Sequence, residues 1–207
     1  RALGEKDFVL LRSHQSTLPD DDILDIPVET DIQSALAHAP DAVIISNPTS
    51  LHLNVAIPAA LAGCSILMEK PVSHNLDRVP DLVAALQKGG GRLLTGFQFR
   101  FHPTLQKINQ CLQTELIGSP ISCRVHWGEY LPGWHPWEDY RKGYSARAEL
   151  GGGVVHTLSH PLDYLRWFFG EVQELFAFTS SQGGLQLDVE DTAEISLRFR
   201  SGVLASV

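Results

Sequence analysis

Residues 42–71 read AVIISNPTSLHLNVAIPAALAGCSILMEKP, and this stretch decides the fold. A β-rich apolar run at 42–46 is followed by a helical pattern at 53–62 and by a second β-rich run at 65–68. Strand, helix and strand in this order indicate two parallel strands joined by a crossover helix. The stretch therefore predicts an α/β domain with a parallel sheet.

The same alternation continues on both sides of this stretch, from Phe8 to Thr95. It predicts further elements, with strands at 8–11, 26–28 and 92–95 and helices at 32–38 and 76–88. Asp31 and Asn75 precede the two helices and have side chains suited to helix caps.

After Gly96 the pattern changes to one helix and several alternating strands. The helix is predicted at 103–113, and the strands at 121–130, 172–180 and 192–200, with another opening at Val203. Strands that alternate apolar and polar residues are typical of an antiparallel sheet with one solvated face. We therefore expect a second domain of the α+β class, with the boundary near residue 97.

The composition argues against several classes of partner. The chain has 207 residues and a formal net charge of -8, so its average field repels nucleic acid and anionic membrane surfaces. The longest nearly apolar stretch, 55–68, contains Pro58 and Gly63 and is shorter than the roughly 20 residues of a membrane-spanning helix. Three widely spaced cysteines fit reduced thiols, so we expect a cytoplasmic protein.

Both ends of the sequence resemble interrupted elements. Residues 1–4 have the pattern of a last helical turn with a glycine stop, and residues 202–207 have the pattern of a strand just begun. We therefore expect the natural chain to be longer.

Polar residues follow the strand predicted at 42–46, in the segment Asn47-Pro48-Thr49-Ser50-Leu51-His52. Ligands of open α/β sheets gather outside the carboxyl ends of the strands, so this segment is a candidate binding site. The alternative is an ordinary turn in which Pro48 fixes φ and Thr49 or Ser50 caps the next helix. The local pattern leaves both interpretations open.

The tripeptide Glu69-Lys70-Pro71 follows the next strand, again at a carboxyl end. A lysine at this place can donate to an alcohol oxygen and favour the alkoxide from which a hydride leaves, because its charge attracts the developing negative charge. The alternative is a solvated lysine paired with Glu69.

Two histidines stand in the segment 151–163, which reads GGGVVHTLSHPLD. On one continuous helix, His156, His160, Asp163 and Trp167 would form a polar stripe opposite an apolar one. Histidine suits a general base because its unperturbed pKa is about 6.5. Pro161 is best tolerated in a first helical turn, so the helix could instead begin near His160 and leave His156 with a structural role.

The loop at 131–148 mixes aromatic side chains with hydrogen-bonding groups. Trp134 and Tyr140 offer faces and polar atoms suited to a polyhydroxylated ring, and Tyr144 and Arg147 are further candidates. The same residues could instead pack beneath a long connection.

Taken together, these segments resemble the Gfo/Idh/MocA oxidoreductase family over nearly the whole chain. The resemblance rests on four motifs in order: Asn47-Pro48-Thr49 with His52, Glu69-Lys70-Pro71, Gly96-Phe97 with Arg100-Phe101 and Pro103, and Gly151-Gly152-Gly153 with His160 and Asp163.

The resemblance implies a partial Rossmann domain that binds a dinucleotide at 1–97 and a partial α+β domain for substrate and oligomerisation at 98–207. It implies NAD or NADP as cofactor, a sugar-like or cyclitol substrate, and a homo-oligomer formed through the second sheet. Lys70 corresponds to the family's catalytic lysine, commonly followed by a cis bond to proline, and His160 to its acid-base histidine.

The resemblance and the position of each segment assign the remaining site residues. We expect Asn47, Pro48, His52, Glu69 and Lys70 at the cofactor. We expect Arg100, Trp134, Tyr140 and Arg147 at the substrate.

The sequence departs from the family pattern in two places. Many members carry an aspartate four residues before the catalytic histidine, where this chain has His156, which we keep as a candidate catalytic residue. The glycine-rich turn that seats the pyrophosphate would precede Arg1. Arg12, Ser13 and His14 follow the first predicted strand, where NAD enzymes usually have an acid, so Arg12 and Ser13 favour NADP over NAD.

The expected reaction is hydride transfer from a secondary alcohol to the nicotinamide, with His160 as the proton acceptor and Lys70 at the oxygen. Two alternatives stay open. The missing aspartate favours a non-catalytic sensor or scaffold of the same fold. A metal-dependent hydrolase or isomerase could use His156, His160 and Asp163 as ligands.

Overall fold

The structure is a computed structural model that describes residues 7–13 and 26–207. These residues form two compact units. The first contains residues 7–13, 26–47, 51–68 and 75–94, and the second contains residues 48–50, 69–74 and 95–207. The end pattern expected at residues 1–4 and the position of His14 lie outside the described residues.

The first unit alternates short strands and helices. Its strands are β1 (Leu10–Leu11), β2 (Val28–Glu29), β3 (Ala42–Ile45), β4 (Ser65–Met68) and β5 (Leu93–Thr95). Its helices are α1 (Ile32–Ala37), α2 (His52–Leu61) and α3 (Val79–Gly89). Strand β1 pairs in parallel with β2, β3 pairs in parallel with β4, and β5 lies beside β4. The parallel sheet predicted from residues 42–71 is confirmed.

The helix caps of the first unit were predicted correctly in one of two cases. The Ser34 amide donates to the Asp31 carboxylate at 2.9 Å, so Asp31 caps α1. The prediction for Asn75 was wrong, because α3 begins three residues later than expected, with Arg78 as its N-cap. Asn75 instead accepts the Asp77 amide at 3.1 Å and closes a turn before the helix.

Small residues let the helices of the first unit pack closely. Ala56, Ala59 and Ala60 of α2 are completely buried. A Cβ atom added at Gly89 would lie 1.8 Å from the Ala60 carbonyl oxygen, and one added at Gly91 would lie 2.2 Å from the Cys64 carbonyl oxygen. Backbone therefore touches backbone here, which only glycine permits.

The second unit contains the remaining elements. These are α4 (Pro103–Gln113), β6 (Ser122–Arg124), α5 (Val154–Thr157), α6 (His160–Phe169), β7 (Val172–Ser180), β8 (Thr192–Phe199) and β9 (Leu204–Ser206). Single 3-10 turns lie at Thr49–Leu51, Gln98–Phe101, Leu131–Gly133, Tyr140–Lys142, Tyr144–Ala146 and Ala148–Leu150.

The sheet of the second unit has the order β6-β9-β8-β7. Strand β8 is antiparallel to β7 and β9, but β6 is parallel to β9. The expected purely antiparallel sheet is therefore wrong at this edge. The long connection between β6 and β9 allows a parallel pairing, which a short hairpin does not.

The strand predicted at 121–130 was also too long, since β6 ends at Arg124. The Val125 amide still donates to the Ser206 carbonyl at 2.8 Å. Farther along, the Trp127 indole N–H donates to the Glu129 carboxylate, so the side chains of this segment bond to each other. Alternation of apolar residues did not distinguish this segment from a continuing strand.

One face of this sheet carries the core of the second unit. Leu165 of α6 and Leu197, Phe199 and Ala205 of the sheet are buried in one cluster. The opposite face is open, with a shallow depression of about 690 Å³, and Phe176 there is 60% exposed. None of the helices in the described ranges is long and apolar enough to cross a bilayer.

Candidate active site

Lys70 lies directly after β4, and the bond between Lys70 and Pro71 is cis, as the resemblance implied. Its half-buried amine donates a hydrogen bond to the Thr157 carbonyl oxygen at the end of α5. Burial lowers the pKa of the Lys70 amine from its ordinary value, and the negative charges of Glu69 and Glu129 oppose this shift. Lys70 is thus bonded to the turn that precedes His160, and burial weakens its hold on the proton.

His160 is the first residue of α6 and is only 6% exposed. Aromatic rings surround its imidazole, with ring centroids 4.6 Å away for Phe99, 5.8 Å for Trp127 and 6.3 Å for Phe97. Burial, followed by the charge of Lys70, lowers the pKa of His160 to about 4. Asp163 and Glu129 act in the opposite direction. The imidazole is therefore neutral at neutral pH and can accept a proton.

Three buried polar atoms in this short segment have no hydrogen-bond partner among the described residues. They are Thr157 Oγ1, Ser159 Oγ and His160 Nδ1. An unpartnered buried polar atom costs on the order of 1–3 kcal/mol, so such atoms are seldom left together without a reason. A polyhydroxylated ligand could supply the missing partners.

His156 and His160 do not share one helical face. Helix α5 ends at Thr157 and α6 starts at His160, so the single helix was wrong and the break predicted from Pro161 is confirmed. His156 Nδ1 lies 3.1 Å from the Gly152 carbonyl oxygen. Because a carbonyl only accepts, Nδ1 carries the proton, and the neutral ring then presents Nε2 as an acceptor.

The glycine triplet lets other groups come close to the start of α5. Gly153 has φ +100°, and a Cβ atom there would lie 2.3 Å from a Glu190 carboxylate oxygen. Glu190 accepts the Val155 amide at 3.2 Å with its side chain and the Val154 amide at 3.0 Å with its carbonyl. Glu190 therefore caps the helix that ends at the Lys70 acceptor.

Arg100 and Asp163 form a bidentate ion pair. The Arg100 Nε and Nη2 atoms donate to the two Asp163 oxygens at 2.8 and 2.7 Å. The guanidinium is 43% exposed and the carboxylate 10% exposed. The pair joins the turn Gln98–Phe101 to the first turn of α6, so Arg100 stabilises the helix of His160 while its role at the substrate stays a prediction.

The strand-end segment of the first unit is fixed by His52. This side chain is 1% exposed, and its Nε2 lies 2.9 Å from the Asn47 carbonyl oxygen. Asn47 Oδ1 is buried and has no hydrogen-bond partner within the described ranges. An acceptor in this position fits a hydroxyl donor such as that of a ribose, so the residue is compatible with the expected cofactor.

The loop of predicted substrate residues has its own internal contacts. The Tyr140 hydroxyl lies 3.5 Å from the Leu185 carbonyl oxygen, and Arg147 forms an ion pair with Glu149 at 2.6 Å. Trp134 Nε1 is buried and finds no partner in the part of the chain that the structure describes.

Sequence reasoning missed several residues of the site. Trp127 and Phe99 enclose His160, and Glu190 caps α5, although none was predicted there. Trp127 and Glu129 stand two residues apart in a segment for which a strand was predicted. In a strand, side chains at this spacing point to the same side, so the spacing was the available signal.

No three His, Cys, Asp or Glu side chains of residues 7–13 and 26–207 are grouped so that they could hold a metal ion. The geometry therefore gives no support to a site built from His156, His160 and Asp163. Asp163 instead binds the Arg100 guanidinium.

Comparison with known proteins identifies the family. Residues 11–97 match the oxidoreductase family with an NAD-binding Rossmann fold, and residues 105–207 match the GFO/IDH/MocA C-terminal domain. The chain belongs to the Gfo/Idh/MocA oxidoreductase family. The resemblance inferred from the four motifs is thus confirmed, together with the Rossmann fold of the first part.

Two curated relatives and one solved structure illustrate the similarity. The chain is 31% identical over 176 residues to myo-inositol 2-dehydrogenase of Thermotoga maritima, covering 81% of this chain and 48% of the relative. It is 32% identical over 168 residues to 1,5-anhydro-D-fructose reductase of Ensifer adhaerens, covering 80% and 49%. The chain thus spans about half the length of these curated relatives.

The solved structure is the WlbA dehydrogenase of Bordetella pertussis in complex with NADH and UDP-GlcNAcA. It superimposes with a TM-score of 0.75 at 26% identity, over 88% of this chain and 52% of that chain.

Proposed function

We propose that this protein is an NAD(P)-dependent oxidoreductase that acts on a secondary alcohol of a sugar, a sugar derivative or a cyclitol. The observation that carries the proposal is the pairing of two basic groups, since the Lys70 amine is bonded to the turn before His160. Burial lowers the pKa of both groups, and it leaves the His160 imidazole neutral at neutral pH. The named relatives act on polyhydroxylated rings, which supports this substrate class.

The two residues divide the work at the reacting carbon. His160 accepts the hydroxyl proton, because its imidazole is neutral at neutral pH. The Lys70 ammonium donates to the same oxygen and stabilises the alkoxide charge as the C–H bond breaks. A nicotinamide cofactor held beside Asn47 and Glu69 would supply the acceptor for the hydride that leaves this carbon. The products are the carbonyl compound and an imidazolium that returns its proton to water.

His156 stands where the family resemblance implies an aspartate, and it takes a different part. With Nδ1 bonded to Gly152, its Nε2 accepts a hydrogen bond but carries no negative charge. We assign it to a substrate hydroxyl near the reacting one, where an acceptor orients the ring.

Cofactor residues are proposed at the ends of the first-unit strands and at the start of the catalytic tripeptide. Asn47 offers its buried Oδ1 to a ribose hydroxyl. His52 bonds to the Asn47 carbonyl, Pro48 follows Asn47, and Glu69 precedes Lys70, so we place these three at the cofactor as well. Arg12 follows β1, and its amide donates to the Glu29 carbonyl at 3.0 Å. Its cation, together with the Ser13 hydroxyl, favours the 2′-phosphate of NADP over the free hydroxyl of NAD.

Substrate residues are proposed in the aromatic loop. Trp134 contributes a buried indole N–H, and Tyr140 a ring face and a hydroxyl. Arg147 forms an exposed ion pair with Glu149, which is worth about 0–1 kcal/mol, so it can exchange Glu149 for a substrate oxygen. Arg100 would reach the substrate only with the part of its guanidinium that Asp163 leaves exposed.

We also propose that copies of the chain associate through the open face of the second-unit sheet. Phe176, Phe178 and Leu204 are at least half exposed on this face. Contiguous apolar surface of this kind marks protein interfaces more often than solvated surface. Cys64, Cys111 and Cys123 are free thiols, which supports a reducing compartment such as the cytoplasm.

Cofactor binding and turnover of the full-length protein test the proposal. Fluorescence titration with NADPH and NADH measures the affinity and the preference between the two. A panel of sugars and cyclitols, followed by formation of the reduced nicotinamide, then measures turnover. His160→Ala should lower kcat by on the order of 10²–10⁴, whereas the matched variant His38→Ala, at an exposed histidine paired with Glu29, should not.

The outcomes distinguish an oxidoreductase from a sensor or scaffold and test the role of His160. Failure to bind either nucleotide would overturn the proposed function. Tight nucleotide binding without oxidation of any alcohol would favour a sensor or scaffold of the same fold. Equal turnover in the His160→Ala variant and the unmodified protein would remove His160 from the mechanism.

A further inference from the structure

Glu129 is a charged residue of the second unit to which no role has yet been assigned. It lies beyond β6, and its carboxylate accepts the Trp127 indole N–H at 2.6 Å. The Trp127 ring in turn stacks on the His160 imidazole, with 5.8 Å between centroids and 19° between ring planes. Phe99 contacts both rings, at 5.0 and 4.6 Å. Glu129 is therefore connected to His160 through one rigid indole.

The charged groups that act on the two reactive residues show what Glu129 adds. The charges of Lys70, Asp163 and Glu129 affect the pKa of His160. The charges of Glu69 and Glu129 affect the pKa of Lys70. Among the described residues, Glu129 is thus the carboxylate that acts on both. Asp163 is already bound at both oxygens by Arg100.

Position 156 does not supply a carboxylate to Lys70 and His160. The residue at this position, His156, presents an acceptor without negative charge. The charge of Lys70 disfavours the protonated form of His160, and burial disfavours the charged form of both groups. A carboxylate supplied from another segment would favour the protonated forms of both residues.

We infer that Glu129, held by Trp127, is the positioning carboxylate of this active site and that its negative charge favours the protonated forms of both Lys70 and His160. It acts through the two reactive residues rather than on the substrate. The catalytic consequence rests on the proposed oxidoreductase function, but the electrostatic link does not.

The electrostatic link is testable without turnover. In the full-length protein, NMR signals of the histidine rings are followed as a function of pH. The signal that is missing in His160→Gln belongs to His160, and its titration gives the pH midpoint of this residue. Glu129→Gln removes the negative charge with little change of shape, so it should lower this midpoint by about half a pH unit, a small shift because the carboxylate is exposed. The Lys70 midpoint, followed by NMR at alkaline pH, should fall as well.

Three further variants separate charge from packing. Glu129→Asp retains the negative charge, so the midpoints of His160 and Lys70 should stay close to those of the unmodified protein. Trp127→Phe replaces the indole by a smaller aromatic ring without the N–H donor, so it should give part of the Glu129→Gln effect. Glu115→Gln removes an exposed carboxylate after α4 and serves as the matched control, with both midpoints unchanged.

Midpoints of His160 and Lys70 that stay the same in Glu129→Gln and Glu115→Gln would overturn the inference. Shifted midpoints in a protein that oxidises no alcohol would retain the inference and reject the proposed function. Where turnover is found, the acid limb of the kcat/KM profile should move in the same direction as the His160 midpoint.

Discussion

His160 and Asp163 lie one turn apart on α6, and their surroundings are opposite. Asp163 has both oxygens bonded by the Arg100 guanidinium, in an arrangement that stabilises its charge. His160 is buried among aromatic rings, and its Nδ1 lacks a partner within residues 7–13 and 26–207. The same helical turn thus contains one side chain whose polar atoms are hydrogen-bonded and one that has a buried nitrogen without a partner among the described residues. The predictions below test this contrast from the largest expected effect to the smallest.

Replacement of the amine that acts on His160 should have the largest effect. Lys70→Met should lower kcat/KM by on the order of 10³-fold, because the developing alkoxide loses its charged donor. Thermal stability should change little, since the lost bond to Thr157 is offset by removal of a desolvated charge. Kinetics and a melting curve measure both, and Lys88→Met, at an exposed lysine of α3, is the control. Retention of most of the activity would contradict the assigned role.

The burial of His160 should make stability depend on pH. Its folded pKa of about 4 lies below the unfolded value near 6.5, so the unfolded chain binds a proton first as the pH falls. The stability contribution is complete above about pH 6.5 and is lost toward pH 4, by up to about 3 kcal/mol. Urea unfolding at both ends of this range should show a smaller loss in His160→Gln than in the unmodified protein. Parallel losses in the two proteins would refute the depressed pKa.

The start of α5 offers a third test, because it positions the Lys70 acceptor. Gly153→Ala should destabilise the fold by about 2 kcal/mol, since alanine is strained at φ +100° and displaces the Glu190 carboxylate. Gly202 has φ +90° with open space around it, so Gly202→Ala measures the strain alone. In the Glu190→Ala background the Gly153→Ala substitution should cost less. Equal costs for both glycines would show that Glu190 simply moves aside.

The smallest effect is expected at the satisfied group. Arg100→Met leaves the Asp163 carboxylate without its partner and should lower the free energy of unfolding by about 1–2 kcal/mol, discounted because the guanidinium is partly exposed. A double-mutant cycle with Asp163→Asn isolates the pair energy. A coupling energy near zero would mean that the geometry contributes nothing to stability.

Local patterns predicted the elements of this chain well and its long-range contacts poorly. The alternation in residues 42–71 predicted the pairing of β3 with β4, and Pro161 predicted the start of α6. The parallel addition of β6 to β9 was not predicted, because its partner lies some eighty residues later, as the register of Ser122 with Leu204 shows. Alternating apolar residues identify a strand but not its neighbour.

The site shows the same division. Lys70 and His160 are candidates that the sequence alone could offer, because each stands in a motif of only a few consecutive residues. Glu190 bonds to Val155 across 35 residues, and Arg100 bonds to Asp163 across 63, so no short window contains both partners. Their roles follow from packing, which single-sequence patterns do not encode.

The contact of Gly89 and Gly91 with the neighbouring backbone has a consequence for the tolerance of this chain to mutation. Both positions lack room for even one methyl group, because carbonyl oxygens of Ala60 and Cys64 occupy the space. In a library selected only for activity, these two sites should therefore be depleted of every substitution as strongly as Lys70. A scan that ranked residues by depletion alone would group Gly89 and Gly91, whose importance lies in backbone packing, with the candidate catalytic residues.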